Sequence, residues 1–214
     1  KYKKNLELLK KNNVYSEEME HDACGVGLIS STEGKKSRKV VEYGIEALKA
    51  VWHRGAVDAD GKTGDGAGIH VEIPKDFFIE KIEVNGHTYD SSEICVGMIF
   101  LPRNDYAAQE SCKTIVESEL TKNDFSIYGW RQVPVDPKVL GDKAFQTMPE
   151  IIQVLFKSNN PELLNKELER KIYETRRKIE NKAFQISLSN FYICSISSKS
   201  IIYKGMFLAE AISD

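Results

Sequence analysis

The longest unbroken apolar run, Ile94 to Leu101, has no polar alternation and predicts a central strand buried on both faces of a sheet. Two-residue alternation marks further strands. Ile69, Val71 and Ile73 alternate with His70 and Glu72, and Phe125 to Val133 alternates around Gly129-Trp130-Arg131. Ile151 to Phe156 reads as another strand. Phe191 to Ser197 and Ile201 to Met206 read as a final antiparallel pair joined across Ser198-Lys199. Near the start, Val26 to Ile29 reads as a strand that follows directly on Cys24.

Helical spacing appears between these runs. Ser37 is a candidate cap for a helix whose Val41, Ile45, Leu48 and Trp52 share one face. Pro74 to Ile82 reads as a short helix, since proline suits a first turn, and residues 105–121 read as a longer one. Asn159 or Asn160 with Pro161 opens the longest helix, striped by Leu164, Leu168, Ile172 and Ile179. Asn85-Gly86, between Val84 and Tyr89, is a hairpin signal. Residues 136–149 are mixed, with one short helix, and residues 1–20 carry a short, weak helix and a connector. Seven or eight strands, often consecutive, with four helices predict an α+β fold built on packed sheets rather than a doubly wound parallel sheet.

Composition narrows the function more than the fold. The 214 residues carry a net charge of −2, which gives no electrostatic reason to expect nucleic acid or an anionic membrane as partner. No apolar run approaches a membrane span, so a soluble, cytoplasmic chain is expected. Cys24, Cys95, Cys112 and Cys194 show no metal-ligand spacing and read as reduced thiols; no metal site is expected.

The chemistry concentrates at His21-Asp22-Ala23-Cys24-Gly25-Val26-Gly27. A cut between Ala23 and Cys24 makes Cys24 the first residue, and its own α-amine then serves its thiol as base. The reference value of an α-amine is about 7.7–8.0 and that of a free thiol about 8.5, so proton transfer between such a pair is nearly balanced at neutral pH. The alternative is a small buried cysteine at a strand start. His53-Arg54 is either a base beside a carboxylate clamp or a cationic pair favoured by a helix end. Glu20-His21-Asp22 is either a processing or metal cluster or a polar linker. Asp58, Asp60 and Asp65 are either a cation loop without EF-hand spacing or solvated turn residues.

The glycine-rich stretch Gly55 to Gly68 does not bind nucleotide by its spacing. A P-loop needs a glycine five positions before Gly61 of Gly61-Lys62-Thr63, and position 56 is alanine. Gly64-Asp65-Gly66-Ala67-Gly68 leads into a strand, where a dinucleotide fingerprint leads into a helix.

Taken together, Asp22-Ala23-Cys24-Gly25-Val26-Gly27, Trp52-His53-Arg54-Gly55-Ala56 and Asp60-Gly61-Lys62-Thr63-Gly64-Asp65-Gly66 closely resemble the N-terminal glutamine amidotransferase domain of bacterial glutamate synthase large subunits. The resemblance continues through Val96-Gly97-Met98, Gly129-Trp130-Arg131, Arg176-Arg177-Lys178-Ile179-Glu180 and Phe191-Tyr192-Ile193-Cys194-Ser195. It implies a class II amidotransferase of the N-terminal-nucleophile hydrolase fold, with stacked, mainly antiparallel sheets flanked by helices. Residues 1–23 are then a leader or pro-segment, and residues 24–214 the N-terminal part of the amidotransferase domain.

Under that resemblance Cys24 is the nucleophile, Ala23 and Cys24 flank the processing site, and Gly25, His53, Arg54 and Gly55 organise the pocket. Glutamine is the substrate, and its ammonia goes to make glutamate from 2-oxoglutarate. This segment needs no cofactor. FMN and an iron–sulfur cluster are implied for the intact enzyme, as are its other synthase domains and either an NAD(P)H-oxidising small subunit or ferredoxin. The family's Arg-Phe-Ser-Thr-Asn-type motif and its oxyanion Asn-Gly pair have no counterpart in these residues. The expectation is therefore a truncated piece that is inactive alone. Other readings are a different class II amidotransferase, of the asparagine or amidophosphoribosyl type, and a non-catalytic α+β domain.

Overall fold

The computed structural model describes residues 2–12, 16, 24–52, 55–188 and 190–213. Its centre is a four-stranded antiparallel sheet in the order β3 (Phe125–Gln132), β4 (Glu150–Ser158), β2 (Cys95–Leu101), β5 (Tyr192–Ser197). The continuous apolar run does form the inner strand β2. Its Cys95, Ile99 and Leu101 enter one core and its Val96 and Met98 the other. Because side chains alternate between faces, a strand buried on both sides has to be apolar at nearly every position.

On the first face lie α4 (Tyr106–Lys122) and α6 (Asn165–Gln185), which contribute Cys112, Val116 and Leu120, and Leu168, Ile172 and Ile179. On the second lie Phe78 and Ile82 of α3 (Lys75–Val84) and Ile201 of β6 (Ser200–Gly205). β6 pairs antiparallel with β1 (Ala67–Glu72) to make a second, two-stranded sheet. Beyond it, α2 (Arg38–Ala50) packs against β1 and the 3₁₀ turn Ala209–Ser213 and buries none of its residues fully. Stacked antiparallel sheets between helices make this an α+β fold, as the order of apolar runs predicted. Among the described residues, α1 (Tyr2–Lys11) and the short α5 (Asp142–Thr147) are the remaining α-helices.

Four local expectations need correction. Val26 and Leu28 are 94% and 88% exposed, and residues 24–30 pair with no described strand. An apolar run reports side-chain preference, and only a hydrogen-bonded neighbour makes it a strand. Asn85-Gly86 is not a hairpin but the end of α3. The amides of Gly86 and His87 reach back to the carbonyls of Glu83 (2.9 Å) and Ile82 (3.2 Å), and Gly86 takes the positive φ of +83° that this helix stop requires. α6 begins at Asn165, after a turn in which Asn160 Oδ1 accepts from the Glu162 amide, so Pro161 precedes the helix rather than opening it.

The fourth correction concerns the last two strands. β5 and β6 do not pair with each other: β5 joins β2 and β6 joins β1. The chain turns a corner between the two sheets at Ser198-Lys199. Glu169 of α6 holds that corner, its Oε1 accepting from the Ser198 amide and hydroxyl (both 2.7 Å) and its Oε2 from the Ser197 hydroxyl (2.9 Å). Ser197 Oγ in turn accepts from the Lys199 amide at 2.9 Å. Glu169→Ala leaves the buried Ser198 without its charged acceptor and is expected to cost about 1.5–3 kcal/mol. Urea unfolding checks this; an unchanged midpoint would mean that the corner is held by packing alone.

Candidate active site

Cys24 lies exposed on the wall of a cleft of about 1740 Å³. Gly25 and Gly55 line the same cleft, together with β1, β6 and the segments that follow β2 and β3. The reading of Cys24 as a buried cysteine at a strand start is thereby overturned, because it is neither buried nor in a strand. Ala23, His53 and Arg54 lie outside the described residues, as do Glu20, His21 and Asp22.

The remaining three cysteines are a poor match for nucleophilic work. All are buried and unpaired by disulfide. Burial raises the Cys112 thiol to about 11, and desolvation pushes Cys95 and Cys194 up as well. A thiol held neutral in an apolar core does not attack an amide. Cys24 alone among the four is accessible.

Beside it, the glycine- and aspartate-rich stretch is a built hairpin. Val57 and Gly64 form an antiparallel bridge, the Asp58 amide donates to Thr63 O (2.9 Å), and the Gly61 amide donates to Asp58 O (3.0 Å). Val57, Gly61, Gly64 and Asp65 all line the cleft. The stretch then runs into β1, as the spacing argument against a nucleotide loop required. Two of its glycines allow close chain approach. A Cβ on Gly64 would fall 2.7 Å from Phe207 O, and one on Gly68 would fall 2.8 Å from Tyr203 O.

Asp58 and Asp60 are exposed, yet both are engaged. Asp58 accepts from the Ala59 amide and from Lys143 Nζ, both at 2.7 Å. Asp60 accepts from the Thr63 hydroxyl (2.5 Å) and from the amides of Thr63 (2.7 Å) and Lys62 (3.0 Å). Those bonds, the Thr63 hydroxyl first, hold its carboxyl down to about 2. Carboxylates already satisfied by N–H and O–H donors are not the open set that a cation needs. Among the described residues no group of three or more His, Cys, Asp or Glu side chains is placed to hold a metal ion. No described helix is long and apolar enough to cross a membrane.

The contact of this hairpin with α5 escaped the sequence reading. Gly141, Lys143 and Ala144 touch Asp58, Asp60 and Thr63 across some eighty positions of chain. Asp60-Gly61-Lys62-Thr63 does signal an Asp-led turn, but nothing in the pattern names its distant partner.

The profile of the class II glutamine amidotransferases matches residues 24–214. The glutamate synthase [NADPH] large chain of Azospirillum brasilense is 51% identical over 212 residues, which is 99% of this chain and 14% of that protein. A ferredoxin-dependent glutamate synthase of Cyanidium caldarium is 40% identical over 197 residues, 90% of this chain and 12% of that one. The chloroplastic ferredoxin-dependent glutamate synthase 2 of Arabidopsis thaliana is 36% identical over 208 residues, 95% of this chain and 13% of that one. The chain thus spans about one seventh or less of the length of these relatives.

Proposed function

The chain belongs to the class II glutamine amidotransferases, and from that premise we propose that it supplies the glutamine-hydrolysing step of a glutamate synthase. One observation carries the reading. The family match begins at Cys24, the only accessible cysteine, and Cys24 stands on the cleft. Residues 1–23 are then a pro-segment, and the stacked antiparallel sheets support the N-terminal-nucleophile hydrolase fold.

The chemistry follows from a free N-terminal cysteine. The α-amine takes the thiol proton, and the thiolate attacks the side-chain amide carbon of glutamine. The carbonyl π bond opens to an oxyanion. Its collapse breaks the C–N bond, and the protonated amine returns its proton to the leaving ammonia. Water then attacks the resulting thioester, releasing glutamate and restoring the thiol. Gly25 gives the substrate close access to the sulfur, and Arg54 and His53 take the pocket-organising role that the family resemblance implies for them.

In the whole enzyme the ammonia goes to 2-oxoglutarate, with electrons from a nicotinamide-oxidising subunit or from ferredoxin, and a cytoplasmic location suits that role. FMN and an iron–sulfur cluster belong to that second half. The residues of this chain do not fit them. Three of its cysteines are buried in the apolar cores, and the glycine hairpin turns into a strand rather than a phosphate-binding helix. No step here passes through either group.

A glutamine-analogue electrophile tests the reading on the full-length gene product. Peptide mass mapping should place the label on Cys24, with glutamine protecting it. Label that glutamine does not displace, or that spreads to other cysteines, would sink the reading.

A further inference from the structure

Gly141 occupies the N-cap of α5 and makes no side-chain cap. The place of that missing side chain is taken. A Cβ on Gly141 would fall 2.6 Å from Asp60 Cγ and closer still to Asp60 Oδ2 and Thr63 Oγ1. Thr63 is buried, at 3% exposure, as is Gly64 beside it, while residues 57–62 of the hairpin are exposed. Its hydroxyl donates to Asp60 Oδ2 and accepts from the Ala144 amide at 3.4 Å. The Lys143 side chain pairs with Asp58 at 2.7 Å. The Ala144 amide, one of the first free amides of α5, therefore finds its acceptor on the hairpin, about eighty positions earlier in the chain. Both partners, the hairpin through Gly61 and Gly64 and α5 through Ala144 and Thr147, line the cleft that holds Cys24.

We propose that Asp60 and Thr63 cap α5 from the hairpin, with Gly141 as the socket, and that this cross-chain cap fixes the cleft wall in the shape that glutamine binding requires. The proposal rests on reading the cleft as the glutamine site. Thr63, Asp60 and Gly141 are positioning residues: they hold the wall, and the proton chemistry stays with Cys24. The exposed Lys143–Asp58 pair adds little to the hold, since surface ion pairs are weak. The buried hydroxyl is the pivot, because it is donor to one side and acceptor from the other. Asp60 stays charged throughout the working range. Its contribution is complete above the ordinary carboxylate value of 3.8 and is lost only as pH falls through about 2.

The test compares Thr63→Val, Thr63→Ser and Gly141→Ala in the full-length gene product. Valine has the shape and lacks the hydroxyl, serine keeps the hydroxyl, and alanine at 141 fills the socket. Thr63→Val and Gly141→Ala are expected to raise KM for glutamine about tenfold, with kcat within about twofold and the pH profile unmoved. Thr63→Ser should restore KM. Hydrogen exchange supplies a readout independent of activity: the Ala144 amide should exchange about fivefold faster in the first two variants and at the parent rate in the serine variant. An unchanged KM in both, a fall in kcat at constant KM, or serine behaving as valine would overturn the proposal. If Thr63→Val does not fold, Gly141→Ala gives the same readouts from the opposite side of the cap. A parent protein that neither hydrolyses glutamine nor takes label at Cys24 would instead sink the functional reading, while the exchange rates would still decide whether the cap exists.

Discussion

Cys24→Ala in the full-length gene product is expected to lower glutamine hydrolysis by a factor on the order of 10⁶, the scale on which removing a catalytic nucleophile acts. The side chain is exposed, so the same change should move stability by less than about 0.5 kcal/mol. This separation of activity from stability is the point of the experiment. Cys112→Ala offers the reverse case. Its thiol is buried in the core beneath α4 and raised to about 11, so the variant should lose stability and keep kcat per folded molecule. Steady-state ammonia release, set beside thermal melting, reads both quantities. A Cys24→Ala protein with more than about a hundredth of the parent rate would remove the thiol from the mechanism.

Phe156→Ala carries the largest expected effect on the fold, about 3–5 kcal/mol. Phe156 is fully buried on β4, stands opposite Cys95 of β2 and Ile127 of β3, and meets Phe125 edge-on at 5.3 Å between ring centres. It lies where the four-stranded sheet faces α4 and α6, so its removal leaves a cavity that two rigid layers cannot close. In a domain of this size the loss corresponds to roughly 10 °C in Tm. Phe184→Ala is the control, since Phe184 of α6 is 85% exposed and should melt within about 1–2 °C of the parent. Equal melting temperatures for the two variants would place the core elsewhere.

Much of this fold is legible in the sequence where burial imposes a period. The unbroken run at Ile94 to Leu101 and Leu168, Ile172 and Ile179 of the expected stripe are in the core, because one strand is covered on two faces and one helix on a single face, while Leu164 stands exposed ahead of the helix. What failed depends on partners. Val26 to Ile29 has the composition of a strand and no described neighbour to pair with. Asn85-Gly86 supplies a positive φ that suits a hairpin and a helix stop equally, and only the helix before it decides. β5 and β6 are adjacent in sequence and belong to different sheets, since Glu169, almost thirty positions earlier, holds the corner between them.

The site divides in the same way. The sequence offered Cys24 as a candidate reactive residue between small Gly25 and Gly27, and the resemblance added Gly55; of these, Cys24, Gly25 and Gly55 line one cleft. Gly141 and Ala144 carry no signal of their own. Their part becomes visible only when the fold brings α5 to Asp60 and Thr63.

The central claim is that Cys24 works with its own amine, and the N-terminal sequence and intact mass of the active full-length gene product test it most directly. The predicted result is a mature chain whose first residue is Cys24 and which hydrolyses glutamine. A chain that hydrolyses glutamine with Ala23 still joined to Cys24 would contradict it, because the nucleophile would then have no α-amine and another base would have to take the thiol proton.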